Sequence, residues 1–292
     1  MSFADATVPR LQIGNWFNDI VTWIQHNLGP LLDVVMNVGT FLNDHISSGL
    51  LAVPPVIMAV ILGLVGWAAS GWKLGIGTVI GMLVIQSVRM WNDAMLSLSL
   101  VIICTTVALI LAVPVGILAA RSTLAANIVR PVLDFMQTLP VFVYLVPVVV
   151  IFGIGAVPGM VATIIFGMPP GVRLTQLGIA QVDREMVEAG HAFGAPPRKI
   201  LTGIELPLAM PTIMAGVNQV IMLVLSMVVV AGMVGAGGLG EDVYTGLTSF
   251  QVPLAFEGGL AVVILAMFLD RATAGVGARS AVSRAMKATA SN

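Results

Sequence analysis

The stretch EAGHAFGAPPRKILTGIELP, residues 188–207, crowds two carboxylates, a histidine, two basic side chains and a double proline into an otherwise apolar chain. Just ahead of it, Asp183 is a good N-cap, and Glu185 places negative charge in the first turn, where the helix dipole favours it. Met186, Ala189 or Gly190, and Phe193 fall on one stripe at three-to-four spacing. Gly194 suits the left-handed position after a helix, and Ala195-Pro196-Pro197 blocks continuation. The pattern predicts a helix over about 184–193, which at 1.5 Å per residue is roughly 15 Å long, half a bilayer. It cannot span. Pro197 suits the first turn of a second helix carrying Arg198 and Lys199 toward lipid phosphates, and Leu206-Pro207 leads into the next apolar run. A short helix with small residues at Ala189 and Gly190 permits close backbone approach to another body. Spacing alone leaves equally open a loop that merely links two spans.

The surroundings explain why this segment stands out. Of 292 residues, 58% are hydrophobic and 9% charged, and mean hydropathy is +1.02. An average soluble domain is about 25% charged, so this is an integral membrane protein. A net charge of −1 argues against a nucleic-acid partner, which needs a basic patch. Cys104 is the one cysteine; it permits no intrachain disulfide and reads as a small membrane-embedded side chain. The N-terminus lacks the basic and apolar regions of a cleaved signal peptide, so the spans themselves are expected to direct insertion.

Charge-free runs of about 20 residues delimit the spans. They are expected near 51–70, 73–90, 96–120, 137–155, 158–178, 209–234 and 255–274, the last bounded by a charge-free stretch of only 258–269, with GIGAVPG (153–159) turning a hairpin between the fourth and fifth. Seven spans put the two ends on opposite sides. With the C-terminus cytoplasmic, the inner segments hold all of the 13 basic residues except Arg10 and Arg89, a strong positive-inside signal. Residues 11–44 show helical apolar spacing broken at Gly29-Pro30, and polar interruptions too frequent for a span. They read as two amphipathic helices at the outer interface or on the bundle, or else as a partly ordered arm. The organisation is therefore an outer amphipathic region (1–48), two extra N-terminal spans (49–94), a core (95–275) containing the cytoplasmic segment 183–207, and a cytoplasmic tail (276–292).

No phosphate-binding loop is present: Lys73, Lys199 and Lys287 are the only lysines, and none follows a Gly-x-x-x-x-Gly pattern. The GAGGLG run (235–240) matches a dinucleotide fingerprint in letters only, since a span rather than a strand precedes it. A tight turn re-entering the bundle, with Gly235, Gly237, Gly238 and Gly240 gating the outer mouth, is the more physical reading. His26, His45 and His191 lie on both sides of the membrane and form no metal site, and no nucleophile, base and acid converge.

The quoted segment resembles the EAA signature of permease subunits of bacterial ATP-binding-cassette importers: Glu-Ala-Ala, three residues, Gly, nine residues, Ile, one residue, Leu-Pro. Glu188, Ala189, Gly194, Ile204, Leu206 and Pro207 match. Gly190 departs, standing where the family usually has alanine. RPVLDFMQTLPVFVYLVPVVVIFGIGAVPG (130–159) and LPLAMPTIMAGVNQVIMLVLSMVVVAGMVGAGGLG (206–240) resemble the glycine betaine/proline betaine branch. The resemblance covers about 95–275. It implies an all-α polytopic membrane bundle of the type I importer fold, a five-helix core with two extra N-terminal spans, in the bacterial inner membrane. It further implies that Glu188, Ala189, Gly190, Phe193, Gly194, Ile204, Leu206 and Pro207 couple the chain to an ATPase. The implied partners are two nucleotide-binding subunits holding ATP and Mg, a second permease chain (most simply a homodimer) and an external binding protein. This chain itself would carry no cofactor and no catalytic site.

Intervals 94–120, 135–172 and 206–240 contain no charged residue, which suits a net-neutral zwitterion better than a bare cation. Phe135, Phe142 and Tyr144 are aromatic candidates for a quaternary ammonium, and Thr138, Asn218, Gln219 and Ser226 are polar ones. Ordinary helix packing is the competing role for each. Choline, carnitine or an amino acid such as histidine is the alternative substrate class, and a channel working without an ATPase is a third reading.

Overall fold

The computed structural model describes residues 12–278, so the tail from 279 and the first 11 residues of the outer region lie outside the described residues. The helices are α1 (Ile13–Asn27), α2 (Gly29–Ala52), α3 (Pro55–Ser70), α4 (Trp72–Ser87), α5 (Trp91–Arg121), α6 (Thr123–Thr138), α7 (Val141–Phe152) and α8 (Ala156–Ala180). Then come α9 (Arg184–Ala192), α10 (Pro197–Ile200), a π-turn (Leu201–Glu205), α11 (Leu206–Ala231), a 3-10 turn (Gly232–Val234), α12 (Leu239–Thr248) and α13 (Val252–Ala278). No strand occurs among the described residues.

Four segments are long and apolar enough to cross a bilayer unaided: α5, α8, α11 with its lead-in, and α13. Three expected spans take other forms. The run read as 137–155 is broken at Leu139-Pro140, where α6 and α7 meet at 100°. Proline has no N–H and drives the residue before it out of the helical region; Leu139 sits extended at ψ 133°. The run read as 51–70 begins at Pro55, and α2 meets α3 at 105° across Val53-Pro54 for the same reason. The α4 helix has only 16 residues and forms a hairpin with α3 over Gly71, whose φ is +102°. The Gly29-Pro30 break lies between α1 and α2, and α2 continues along the bundle against α5 and α8.

Lipid tails are as apolar as leucine, so membrane helices associate through close packing rather than through exclusion of water. Accordingly α5, α8 and α11 meet through small residues. A Cβ on Gly116 would stand 2.6 Å from Thr175 Cβ and 2.7 Å from the Val172 carbonyl oxygen, and one on Gly171 would stand 2.9 Å from Ala112 Cβ. Cys104 is fully buried among them, its thiol directed at the Met160 carbonyl oxygen at 3.8 Å. Chain direction puts the C-terminal ends of α5 and α8, the start of α11, and α9–α10 at one end of the bundle, with Arg121, Arg184, Arg198 and Lys199. Asp93, Glu241, Asp242 and Glu257 lie at the other.

Candidate functional site

The segment joining α8 to α11 is built almost entirely by local rules. The Asp183 carboxylate accepts from the Glu185 N–H at 3.0 Å, capping α9. At its far end the Ala195 N–H donates to the Gly190 carbonyl at 3.1 Å and the Gly194 N–H to the His191 carbonyl at 2.9 Å. With Gly194 at φ +73°, this is the six-to-one, five-to-two closure that glycine makes at helix ends. Pro197 opens α10. Pro207 has no N–H to offer, and the turn before it widens so that the Leu206 N–H bonds the Leu201 carbonyl.

Gly190 is the seat of α9. A Cβ there would come 2.8 Å from Ile204 Cδ1 and 3.4 Å from Ile200 Cγ1, and Ile200 is 1% exposed. Where the signature usually has alanine, glycine lets α9 settle closer onto α10 and the π-turn. The expected single stripe is thereby split. Gly190 turns inward, whereas Met186, Ala189 and Phe193, with Glu188 beside them, turn out, and Phe193 is 91% exposed. Leu206 packs against the buried Ile179, Ala209 and Ile213.

Sequence reading missed the clamp behind this seat. Arg121, the last residue of α5, donates to Glu205 Oε2 at 2.5 Å and to the Pro197 carbonyl at 3.3 Å. The Glu205 side chain is only 13% exposed. The available signal was Glu205 itself, a lone carboxylate between Ile204 and Leu206, but its partner is 84 residues away.

At the opposite end, Gly235, Gly237 and Gly238 all have positive φ. The Leu239 N–H donates to Ser97 Oγ at 2.9 Å, and Leu239 is fully buried. Gly240 lies against the Val228 and Val229 carbonyls, and the Gly155 N–H of the α7–α8 turn donates to the Val234 carbonyl at 2.9 Å. One Asp242 carboxylate oxygen is buried without a partner. Burial, reinforced by Asp93 and then Glu241, pushes its pKa up to about 6.

The substrate-path candidates divide. Phe135, Thr138, Phe142, Gln219 and Ser226 have exposed side chains. Tyr144 is buried, donates its hydroxyl to the Met136 carbonyl and meets Phe166 edge-on at 5.6 Å. Asn218 donates to Asp270 at 2.9 Å and accepts from Thr273 at 2.7 Å. These two are therefore held by partners inside the bundle. Among the described residues, no histidine, cysteine and carboxylate group forms a metal cluster.

Apolar spans, bent pairs and a small-residue core make this an all-α polytopic membrane protein. The chain belongs to the family of binding-protein-dependent transport system inner membrane components, whose model matches residues 112–280. It is 44% identical, over 91% of its length and 75% of the relative's, to the glycine betaine/proline betaine transport system permease protein ProW of Escherichia coli (strain K12). It is 41% identical, over 91% of its length and 94% of the relative's, to the glycine betaine transport system permease protein OpuAB of Bacillus subtilis (strain 168). The fold is that of type I ATP-binding-cassette importer membrane subunits. A chain of the MetNI methionine ABC transporter in an inward facing conformation superposes with TM-score 0.58 at 20% identity, covering 64% of this chain and 94% of that one.

Two outcomes follow from the geometry. Arg121→Ala strands the nearly buried Glu205 carboxylate, at a cost of about 1–3 kcal/mol. Amide hydrogen exchange over 197–206 should then accelerate roughly tenfold or more, with α5 itself unchanged. For Asp242, a raised carboxyl pKa means stabilisation that is complete below pH about 4 and lost as pH rises through about 6. Protection of 239–248 should fall between pH 5 and 7.5 in the wild type and change less in Asp242→Asn.

Proposed function

We propose that this chain is the permease subunit of an ATP-binding-cassette importer for glycine betaine, proline betaine or a related compatible solute. The observation that carries the reading is the helix α9: capped at both ends, clamped to the bundle from behind, and presenting Glu188, Ala189 and Phe193 outward. Kinship with two betaine permeases over nine-tenths of the chain supports the substrate class. The segregation of Arg121, Arg184, Arg198 and Lys199 to the end that carries α9 supports a cytoplasmic position for it, with the N-terminus outside and the C-terminus within.

In this reading α9 docks in a groove on an ATPase subunit, which binds ATP and Mg. One α9 per chain and two ATPases per transporter call for two permease chains, most simply a homodimer, and an external protein delivers the substrate. ATP draws the ATPases together and carries both α9 helices with them. The bundles then rock between inward- and outward-facing states. Phe135, Thr138, Phe142, Gln219 and Ser226 line the path between the two chains, their aromatic faces receiving the quaternary ammonium. The glycine turn from Gly235 to Gly240 closes the outer mouth.

Glu188→Arg reverses the charge on the docking face, and Gly194→Leu forces a branched side chain into left-handed backbone that costs on the order of 1 kcal/mol or more. Both variants should insert normally and lose ATP-dependent uptake; normal uptake in both would remove α9 from the coupling role. Substrate class is read by competition in a strain lacking other uptake systems. Unlabelled glycine betaine or proline betaine should suppress labelled glycine betaine uptake through this chain and its partners. Stronger suppression by choline or histidine would transfer the assignment to those solutes.

A further inference from the structure

The helix α6 has three faces. Ala126 and Leu133 are buried in the bundle, and Leu124, Ile128, Val132 and Phe135 form an exposed apolar surface. Between them run Asn127, Arg130, Asp134 and Thr138, all exposed, at steps of three and four residues. Set against hydrocarbon, such a stripe would hold two ionised groups in lipid. Intramembrane charges instead face water-filled cavities or each other. Across from the stripe, α8 supplies Arg173, Gln176, Leu177 and Ala180, and a cavity of about 330 Å³ lies between the two helices. Within it Arg173 pairs with Asp134. The Gln176 amide is held by the Ala119 carbonyl at 3.2 Å. Arg130 has no hydrogen bond or ion pair among the described residues.

We propose that this cavity is an inner binding site for a small zwitterion, selective for a carboxylate and a cationic group on one molecule. It rests on the transport reading above, and names a site for that substrate. The charge inventory makes the choice. Two guanidiniums and one carboxylate leave Arg130 with an open forked donor, which binds a carboxylate through two parallel hydrogen bonds. A zwitterion that enters carboxylate-first takes Arg130 and Arg173 and brings its cationic end to Asp134. The Arg173–Asp134 pair is thereby exchanged for two new charge contacts, and no ion is left unpaired. A bare cation would satisfy Asp134 and strand Arg173. A bare anion would pair with Arg130 and leave the Arg173–Asp134 pair closed, making no use of Asp134. The cation strands a guanidinium and the anion forgoes the contact to Asp134, so each makes fewer charge contacts than the zwitterion.

The location gives the site a release mechanism. Arg173 to Ala180 form the last two turns of α8, and α9 begins at Arg184. A pull on α9 is passed directly into the wall of the cavity and changes its separation from α6. Closing the Arg173–Asp134 pair then expels the zwitterion, because the ion pair and the ligand compete for the same groups.

The test uses the full chain in nanodiscs of phosphatidylcholine and measures saturable binding of labelled glycine betaine. Binding should be suppressed by excess unlabelled glycine betaine, and little by choline, acetate or inorganic phosphate. Arg130→Gln touches no partner and so leaves thermal unfolding unchanged; it should weaken binding about tenfold or more. Arg130→Lys should recover part of the loss, and Asp134→Asn should weaken glycine betaine while leaving acetate competition unchanged or stronger. Absence of saturable binding, or unchanged binding in Arg130→Gln, overturns the site. So does displacement by phosphate or by discs containing phosphatidylglycerol, which would make it a headgroup pocket. Uptake by the assembled transporter is measured in parallel. Uptake without binding here removes the site and keeps the transport reading, whereas binding without uptake removes the transport reading and keeps the site.

Discussion

A single guanidinium ties the projecting segment to the body of the protein. Arg121 ends α5, yet its two contacts lie on the far side of the α9–α10 corner, at the Pro197 carbonyl and the Glu205 carboxylate. Glu205 precedes α11 directly. The segment between α8 and α11 is thus fixed to all three core helices: covalently to α8 and α11, and electrostatically to α5. A partly buried ion pair contributes little net stability, because desolvation offsets most of the attraction. Its value lies in geometry. In the coupling proposed above, it lets force on α9 reach the core helices instead of being spent in bending residues 193–205.

What receives that force is stiff. Where α5 meets α8, Gly116 lies within contact of the Val172 backbone, so no intervening side chain can yield by changing rotamer. Close-packed interiors transmit displacement as shifts of whole elements rather than absorbing it. The same logic explains Gly190. Removing a Cβ brings α9 onto Ile200 and Ile204, and α9 and its mount become one body. Met186, Ala189 and Phe193 stay exposed among the described residues, as the docking proposed above requires.

The legible parts of this architecture are those set by neighbours in sequence. Helix α9 could be bounded from Asp183 and Gly194 because capping is a contact between residues a few positions apart. The spans α5, α8 and α11 stood out by long runs without charge, whereas α13 has only 258–269 free of charge between Glu257 and Asp270. The bends at Val53-Pro54 and Leu139-Pro140 did not, because hydropathy averaged over a window is set by the apolar neighbours and takes no account of a missing N–H. In the sequence Arg121 and Arg130 count only as basic residues of an inner segment; that segment is the helix α6, whose Arg130 and Asp134 line a cavity. Arg121–Glu205, Asn218–Asp270 and Arg173–Asp134 each join residues far apart in sequence, and spacing holds no record of them. Tyr144 illustrates the converse. Its aromatic character suggested a ligand contact, yet its hydroxyl and ring are both engaged by the bundle.

The two ends of the bundle are closed by different physics, and the difference bears on how access alternates. At the end away from α9 the closure is backbone on backbone: Gly238 lies against the Asp93 carbonyl and Ser97, Gly240 against Val228 and Val229, and Gly155 bonds Val234. Such contacts are short and directional, and separate only if whole helices move. At the end beside α9, α6 and α8 are joined across the cavity by the exposed side chains of Arg173 and Asp134. Under the coupling proposed above, parting the end away from α9 takes work on whole helices, which α9 would deliver. Under the binding proposed above, the end beside α9 exchanges the Arg173–Asp134 pair for contacts to the ligand, and Arg130 gains the partner it lacks. On that reading ATP-driven work goes mainly to the end away from α9, and release beside α9 follows from the chemistry of the cavity walls.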